Sequence, residues 1–269
     1  MEAVLHRAVV YTNRILLLRT AWKRILAPCV ILGVWQGAVV SGLVKPVLLP
    51  PPTQVFEAMV MMLGNGELAV HLGVSIARVL EGFLLAAVLG IGLGMGMGLL
   101  PQLNDLLDGT IQLIRPIPPI AWLPMAILWF GIEEGSKIFI ITLGAFFPIF
   151  INVLEGIRQT DQKYVELSQV LEVPRGKFIR KVIIPGALPF IISGLRIGLG
   201  YAWMCVVAAE LSAGMKGIGF MLTDARSLAQ TDKVFVGMLS IGVIGKMMDS
   251  LLRMLETKIV KWRGAFTGV

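Results

Sequence analysis

Charge is scarce in this 269-residue chain. Asp, Glu, Lys and Arg make up only 15% of it, against roughly 25% in an average soluble domain. A soluble globule of this length keeps about a quarter of its surface in water, and a chain that is 56% hydrophobic lacks the polar residues to cover it. Composition therefore speaks against a soluble enzyme, a nucleic-acid binder and a disordered chain. Cysteine is nearly absent: Cys29 and Cys205 lie in apolar runs and imply neither a disulfide framework nor a zinc knuckle. His6 and His71 are far apart, so no metal site is expected. The chain has no G-x-x-x-x-G-K-[ST] loop for a nucleotide, and no H-E-x-x-H or G-x-S-x-G signature. No catalytic residue is assigned. The short apolar run Ile15–Leu18 among Arg7, Arg14, Arg19, Lys23 and Arg24 is no signal-peptide core.

Long apolar runs are what the chain does have. Its mean hydropathy is +0.81, and a spanning helix needs about 20 mostly apolar residues. Six segments approach that: Ile25–Leu43, Val74–Leu100, Ile117–Gly131, Ile138–Gly156, Leu188–Leu211 and Val234–Leu255. The third is short and holds prolines. Gly90, Gly92, Gly94, Gly96 and Gly98 fall inside the second run, where close helix approach explains them better than phosphate binding. With six spans, sixteen Lys and Arg fall on the side of the termini, counting Arg253 at the inner end of the sixth run, against five (Lys45, Lys137, Lys216, Arg226 and Lys233) on the other. That asymmetry places both termini in the cytoplasm. The expected organisation is a tail 1–24, one membrane domain 25–255 and a tail 256–269.

Two loops stand out. Leu48–Pro52 reads as extended or polyproline-like, followed by a short amphipathic helix that Thr53 caps and whose apolar face holds Val55, Met59 and Met62. The longest cytoplasmic loop, 158–185, reads as helix, break at Val173-Pro174, then helix. Val165, Leu167, Val170 and Leu171 form an apolar stripe on its first helix, suited either to a groove in another protein or to the membrane surface.

Charges inside spans are costly, so they face protein or water. Arg78 and Glu81 are three residues apart and can pair, as can Lys246 and Asp249. Arg196 and Glu210 share one face of the fifth span, nearly four turns apart. Arg196 suits an anionic ligand or an interhelical contact. Trp122 and Trp203 suit a translocation path or core packing, and Trp129 an interfacial anchor. Trp122, Arg196, Gly200, Trp203 and Glu210 are thus the candidate path residues, and the nearby Gly194 and Gly198 suit close approach between two copies of the chain.

The loop Glu166-Leu167-Ser168, position 172 and Val182-x-Ile184-Pro185 resembles the EAA loop of ABC importer permeases. Leu-Ser stands where the family has Ala-Ala, and Glu172 where it has a turn glycine. A glutamate does not reach positive φ cheaply, so the bend is expected at Pro174 and Gly176. The blocks LLPPPTQV (48–55), RPIPPIAWLP (115–124), ILWFGIEEGSKIF (127–139), LPFIISGLRIGLGYAW (188–203) and VVAAELSAGMKGIGFML (206–222) are similar to the nitrate/sulfonate/taurine permeases. PIFINVLEGIR (148–158) and LAQTDKV (228–234) are most similar to the sulfonate and taurine branch.

The resemblance implies an all-α, six-span permease of the type I importer fold in the bacterial inner membrane. It implies a homodimer, two ATPase subunits below and a periplasmic or lipid-anchored substrate-binding protein outside. ATP and Mg would be bound by the ATPases, with no cofactor in this chain and no nucleic-acid partner. Glu166, Leu167, Ser168, Val170, Leu171, Glu172, Pro174, Arg175 and Gly176 would form the coupling segment. The implied cargo is an aliphatic sulfonate or taurine. Nitrate, bicarbonate or an aromatic or heterocyclic precursor stay open as cargo, and a secondary transporter or an intramembrane enzyme as a different class of protein.

Overall fold

The computed structural model describes residues 26–259. Every regular element among them is helical. The chain divides into two compact units, Met1–Gly64 with Ala225–Val236, and Asn65–Asp224 with Gly237–Val269.

The first unit contains α1 (Leu26–Val40) and α2 (Pro52–Gly64). Between them the chain turns at Leu48 and Leu49, whose N–H groups both donate to the Lys45 carbonyl. Only Pro50 and Pro51 remain as irregular backbone before Pro52 opens α2. The expected polyproline stretch is therefore shorter than its proline count suggests. Pro52 takes the first helical position, where its missing N–H costs nothing, and Thr53 lies inside the first turn rather than capping it. Val55, Ala58 and Met62 are the buried face of α2. Trp35 packs on Phe235 at 5.2 Å between ring centres, and the Thr231 hydroxyl donates to the Val47 carbonyl at 2.5 Å.

The second unit runs through α3 (Glu67–Leu99), α4 (Pro101–Ile114), a 3-10 turn (Pro119–Trp122), α5 (Leu123–Phe130) and α6 (Glu134–Arg158). It continues through α7 (Gln162–Val170), α8 (Arg175–Phe178) and a π-helical turn (Ile179–Ile183) into α9 (Ile184–Ala213). α10 (Ile218–Ser227) and α11 (Thr231–Ile259) complete the chain. Among the described residues four stretches are long and apolar enough to cross a membrane: Glu67–Leu99, Glu134–Arg158, Arg175–Ala213 and Thr231–Ile259. The described part of α1 is shorter, and the expected third span is no single helix. Pro101–Ile114 and Pro119–Phe130 together have the required apolarity but bend by 87° between them. Pro116, Pro118 and Pro119 explain the break, since each lacks an N–H and biases the residue before it away from helix. α4 occupies the stretch between the second and third apolar runs, where a loop is expected. α11 runs to Ile259, past the expected end at Leu255.

α6 is the centre of this unit. Along α3, Gly82, Ala86, Gly90, Gly94 and Gly98 recur every fourth residue and form a groove with almost no side chain. A Cβ at Gly94 would lie 2.9 Å from the Phe150 carbonyl oxygen, and one at Gly90 would lie 3.0 Å from Ile149 Cγ2. Into this groove α6 sets Ile141, Ile149, Val153 and Ile157. On its other side α6 meets α9, where a Cβ at Gly198 would lie 2.7 Å from Ile149 Cγ1. Gly194 and Gly198, expected to bring two copies of the chain together, instead bring α9 onto α6 of the same chain. In lipid, where apolar surface gains nothing by leaving one hydrocarbon for another, such close backbone approach supplies the packing energy.

Position 92 is the internal control for this groove, because a Cβ there meets nothing within 4 Å. Gly94→Ala should destabilise by about 1–3 kcal/mol through overpacking. Gly92→Ala should be neutral or stabilising, since alanine is the better helix former by roughly 1 kcal/mol. Thermal unfolding of the two detergent-solubilised variants, with equal shifts, would show that the stripe is not the contact.

Candidate functional site

Three constellations in the second unit could carry function. The first is the loop between α6 and α9. Asp161 caps α7, its carboxylate accepting the Lys163 N–H at 2.9 Å. At the other end the Val173 N–H donates to the Ser168 carbonyl at 2.9 Å and the Glu172 N–H to the Gln169 carbonyl at 3.1 Å. That crossed pair is a Schellman closure, which needs a left-handed residue at the position Glu172 occupies. Glu172 has φ +50°. The expectation that Pro174 and Gly176 make the bend is corrected: Glu172 makes it, at a backbone cost of about 1–2 kcal/mol. Pro174 precedes α8 and Gly176 lies inside it.

α7 turns Tyr164, Leu167, Val170 and Leu171 outward, with Val170 79% exposed. Glu166, Pro174, Arg175 and Gly176 are also exposed. Val165, counted in the stripe on spacing alone, instead points with Ser168 into a cleft of about 380 Å³ that Phe178 and Ile183 also line. Tyr164 takes its place. The Arg175 guanidinium donates to the Leu99 carbonyl at 3.2 Å, at the open C-terminal end of α3.

The second constellation is a buried ion cluster joining α3, α6, α9 and the start of α10. Arg78 does not pair with Glu81. Its guanidinium forks onto Glu134 at 2.5 and 2.6 Å, and it donates to Glu210 and to the Lys216 carbonyl, each at 2.7 Å. Glu210 is fully buried and has all its partners: Ser75 Oγ at 2.8 and 2.9 Å, and the Gly219 N–H at 2.8 Å. The Ile218 N–H donates to Ser75 Oγ and the Gly217 N–H to His71 Nδ1. His71, Ser75 and Arg78 lie on one face of α3 at spacings of four and three. Gly217 has φ +112°, and a side chain there would overlap the Glu210 carboxylate.

The remaining path candidates, Gly200 apart, are engaged in packing or pairing. Arg196 donates to Asp249 at 3.0 Å and to Glu256 at 3.3 Å, binding α9 to α11. Lys246 lies 3.5 Å from the same Asp249, as its spacing predicts. Trp203 is buried and donates its indole N–H to Met248 Sδ at 3.3 Å. Gly200 is exposed with open space beside it. Trp122 packs on the core with its indole N–H buried and unpaired, and Trp129 is half exposed beside Phe130 and Phe139.

The third constellation was not read from the sequence. A cleft of about 300 Å³ lies against α6 and α9. Arg115, Asn152 and Tyr201 supply its polar lining, and Phe147, Ile151 and Ile197 part of its apolar lining. Its α6 residues sit between about 15 and 27 Å along a helix of roughly 37 Å at 1.5 Å per residue. Arg115, counted as a cytoplasmic loop charge, thus opens onto the middle of the membrane-crossing helices. A charge at such depth costs about 2.5–3.5 kcal/mol if lipid faces it. The signal available in the sequence was its place just before Pro116, Pro118 and Pro119, where the chain cannot continue as a helix.

Residues 86–261 match the family described as binding-protein-dependent transport system inner membrane component. The chain belongs to that family of inner-membrane permeases. It is 43% identical over 251 residues to the permease protein SsuC of Bacillus subtilis, named for aliphatic sulfonates transport, covering 93% of this chain and 91% of that one. It is 39% identical to the taurine transport system permease protein TauC of Escherichia coli, covering 87% of each. It is 36% identical to the nitrate import permease protein NrtB of Synechocystis, covering 87% of this chain and 88% of that one. Among solved structures, a chain of the methionine ABC transporter MetNI in an inward-facing conformation superposes with TM-score 0.55 at 20% identity, covering 70% of this chain and 91% of the other. That likeness shows the fold alone. The protein is an ABC transporter permease of the sulfonate/taurine/nitrate type, most similar to the sulfonate and taurine branch.

Within this permease the ion cluster has a measurable weight. Arg78 and Glu210 expose 5% and 0% of their side chains, whereas Glu134 exposes 58%. Removing one partner of a buried pair strands the other and costs about 3–5 kcal/mol, while an exposed carboxylate is worth about 1 kcal/mol or less. Glu210→Leu should therefore lower the unfolding temperature in detergent far more than Glu134→Ala. Equal shifts would mean that the cluster does not hold α3 to α9.

Proposed function

We propose that two copies of this permease pair in the bacterial inner membrane and, with two ATPase subunits and an external substrate-binding protein, import a small organic anion. An aliphatic sulfonate or taurine is the cargo this reading favours. The observation that carries it is the exposed apolar stripe Leu167, Val170 and Leu171 on a capped helix outside the long apolar helices. An apolar face held rigidly in water suits a groove in a partner protein. Glu166, Ser168, Glu172, Pro174, Arg175 and Gly176 complete this coupling segment, with the charges setting register at the rim. ATP and Mg belong to the ATPases in this reading, and the chain itself has no cofactor and no catalytic residue. The names of SsuC and TauC support the cargo. That of NrtB is the specific observation behind nitrate as a second reading.

The test has two arms. Uptake of labelled ethanesulfonate, taurine and nitrate is measured in proteoliposomes holding the full complex and in liposomes lacking the ATPase. Sulfonate or taurine uptake that requires ATP and the ATPase supports the proposal. Uptake without the ATPase points to a secondary transporter, and uptake of nitrate alone moves the cargo to the second reading. In the other arm, Leu171→Asp places a charge in a desolvated contact and should weaken ATPase retention by at least about 2 kcal/mol, roughly thirtyfold. Normal ATPase co-purification and normal cargo-stimulated hydrolysis in that variant would remove the loop as the docking site.

Orientation follows from the excess of Lys and Arg on the side of the termini. In a background lacking Cys29 and Cys205, cysteine at Glu133 or at Arg226, both exposed, should react with a membrane-impermeant reagent in intact cells. Cysteine at Lys177 should react only after lysis. The reverse pattern would invert the topology.

A further inference from the structure

The cleft against α6 and α9 has the chemistry of a cargo site, and no residue of it belongs to the coupling segment or the ion cluster. Arg115 lines it, and among the described residues no carboxylate pairs with its guanidinium. That sets it apart from Arg78 and Arg196, which carboxylates engage. Tyr201 lines the same cleft, and among the described residues its hydroxyl has no partner. Asn152 uses one amide hydrogen on the Pro148 carbonyl at 2.8 Å, one turn back on its own helix, which leaves a second hydrogen to donate. Three donors therefore meet in one cleft with no acidic residue among its lining. Beside them Phe147, Ile151 and Ile197 offer apolar surface.

An ionisable group at mid-depth that lines a cavity and has no fixed partner suits a substrate pathway. A planar guanidinium is suited to bidentate recognition of an oxyanion. We infer that Arg115, with Tyr201 and Asn152, binds the oxyanion head of the cargo at mid-membrane while the apolar wall takes its carbon chain. The site thus favours an anion with an apolar tail over a bare inorganic one. It rests on the reading of this permease as an importer of organic anions, and it names the site within it.

Pro148, in the wall of the cleft, interrupts the hydrogen-bond ladder of α6 opposite Gly144. A Cβ at Gly144 would overlap Cys205 Sγ, so this glycine serves the close approach of α9 to α6 along the same wall.

The experiment uses the whole complex in proteoliposomes and compares maximal uptake rates at saturating cargo, so that the affinity of the external binding protein drops out. The probes are butanesulfonate and nitrate. Arg115→Ala should lower the maximal rate for butanesulfonate at least tenfold, in a complex that still co-purifies with the ATPase. Arg115→Lys should recover part of it. Tyr201→Phe should lower the rate severalfold while its unfolding temperature stays that of the wild type. Ile197→Ser, on the apolar wall, should reduce butanesulfonate transport more than nitrate transport. Wild-type rates in a correctly assembled Arg115→Ala complex would overturn the site while leaving the importer reading intact. No uptake of either probe by the wild type would instead count against the importer reading itself. If Arg115→Ala fails to assemble, Tyr201→Phe and Ile197→Ser decide the matter, and normal rates in both would sink the proposal.

Discussion

Everything in the larger unit depends on how closely α6 is gripped. Ile149 is the point of greatest constraint: it is fully buried, with its side chain against Gly90 of α3 on one side and Gly198 of α9 on the other. Helices separated by full side chains would gain little in lipid from meeting, because hydrocarbon already surrounds them. Helices that meet backbone to side chain gain dense dispersion contact instead. The glycines therefore serve as the means by which three apolar helices find one arrangement. The ion cluster then fixes the register that dispersion alone would leave free to slip.

The cluster and the stripe divide the work by depth. Where α6 meets the glycines of α3 and α9, the packing is mostly of carbon and backbone, joined by the Thr142 hydroxyl on the Gly82 carbonyl at 3.2 Å. Around Glu134, where α6 begins, charge returns but is nearly saturated: the buried carboxylate of Glu210 accepts from a hydroxyl, a guanidinium and a backbone N–H. Desolvating that many charges is affordable only because each is matched. The glycines at 217 and 219 belong to this arrangement: a side chain at 217 would occupy the space of the carboxylate itself, and one at 219 would run into Glu210 Cβ and the Val207 carbonyl of α9.

Much of this was legible in the residues, and the parts that were not share a cause. The apolar runs, the break at Val173-Pro174 and the dense glycines of α3 declare themselves locally, through period, proline and residue size. The partner of Arg78 does not. Glu81 is its neighbour along the helix, but Glu134 and Glu210 become its neighbours only once α3, α6 and α9 have packed, and no spacing rule reaches that far. Glu172 misled for the opposite reason. Its intrinsic preference argues against φ +50°, but two crossed hydrogen bonds and the proline that follows impose it, so context overrides propensity. Arg115 looked like an ordinary loop charge because the 87° bend after it cannot be read from proline count alone. The blocks that carried the family resemblance pointed to the right region without revealing which of their side chains meet.

The two ties between α3 and the helix running from Arg175 to Ala213 have a mechanical consequence. That helix passes through the π-turn without a break and covers 39 residues, about 58 Å at the α-helical rise. It is fastened to α3 at both ends: weakly where Arg175 meets the Leu99 carbonyl, and strongly where Glu210 meets Ser75 and Arg78. A frame pinned at two corners resists shear. One strut cannot slide along the other without breaking a corner, and the corner that resists most is the one farthest from the loop.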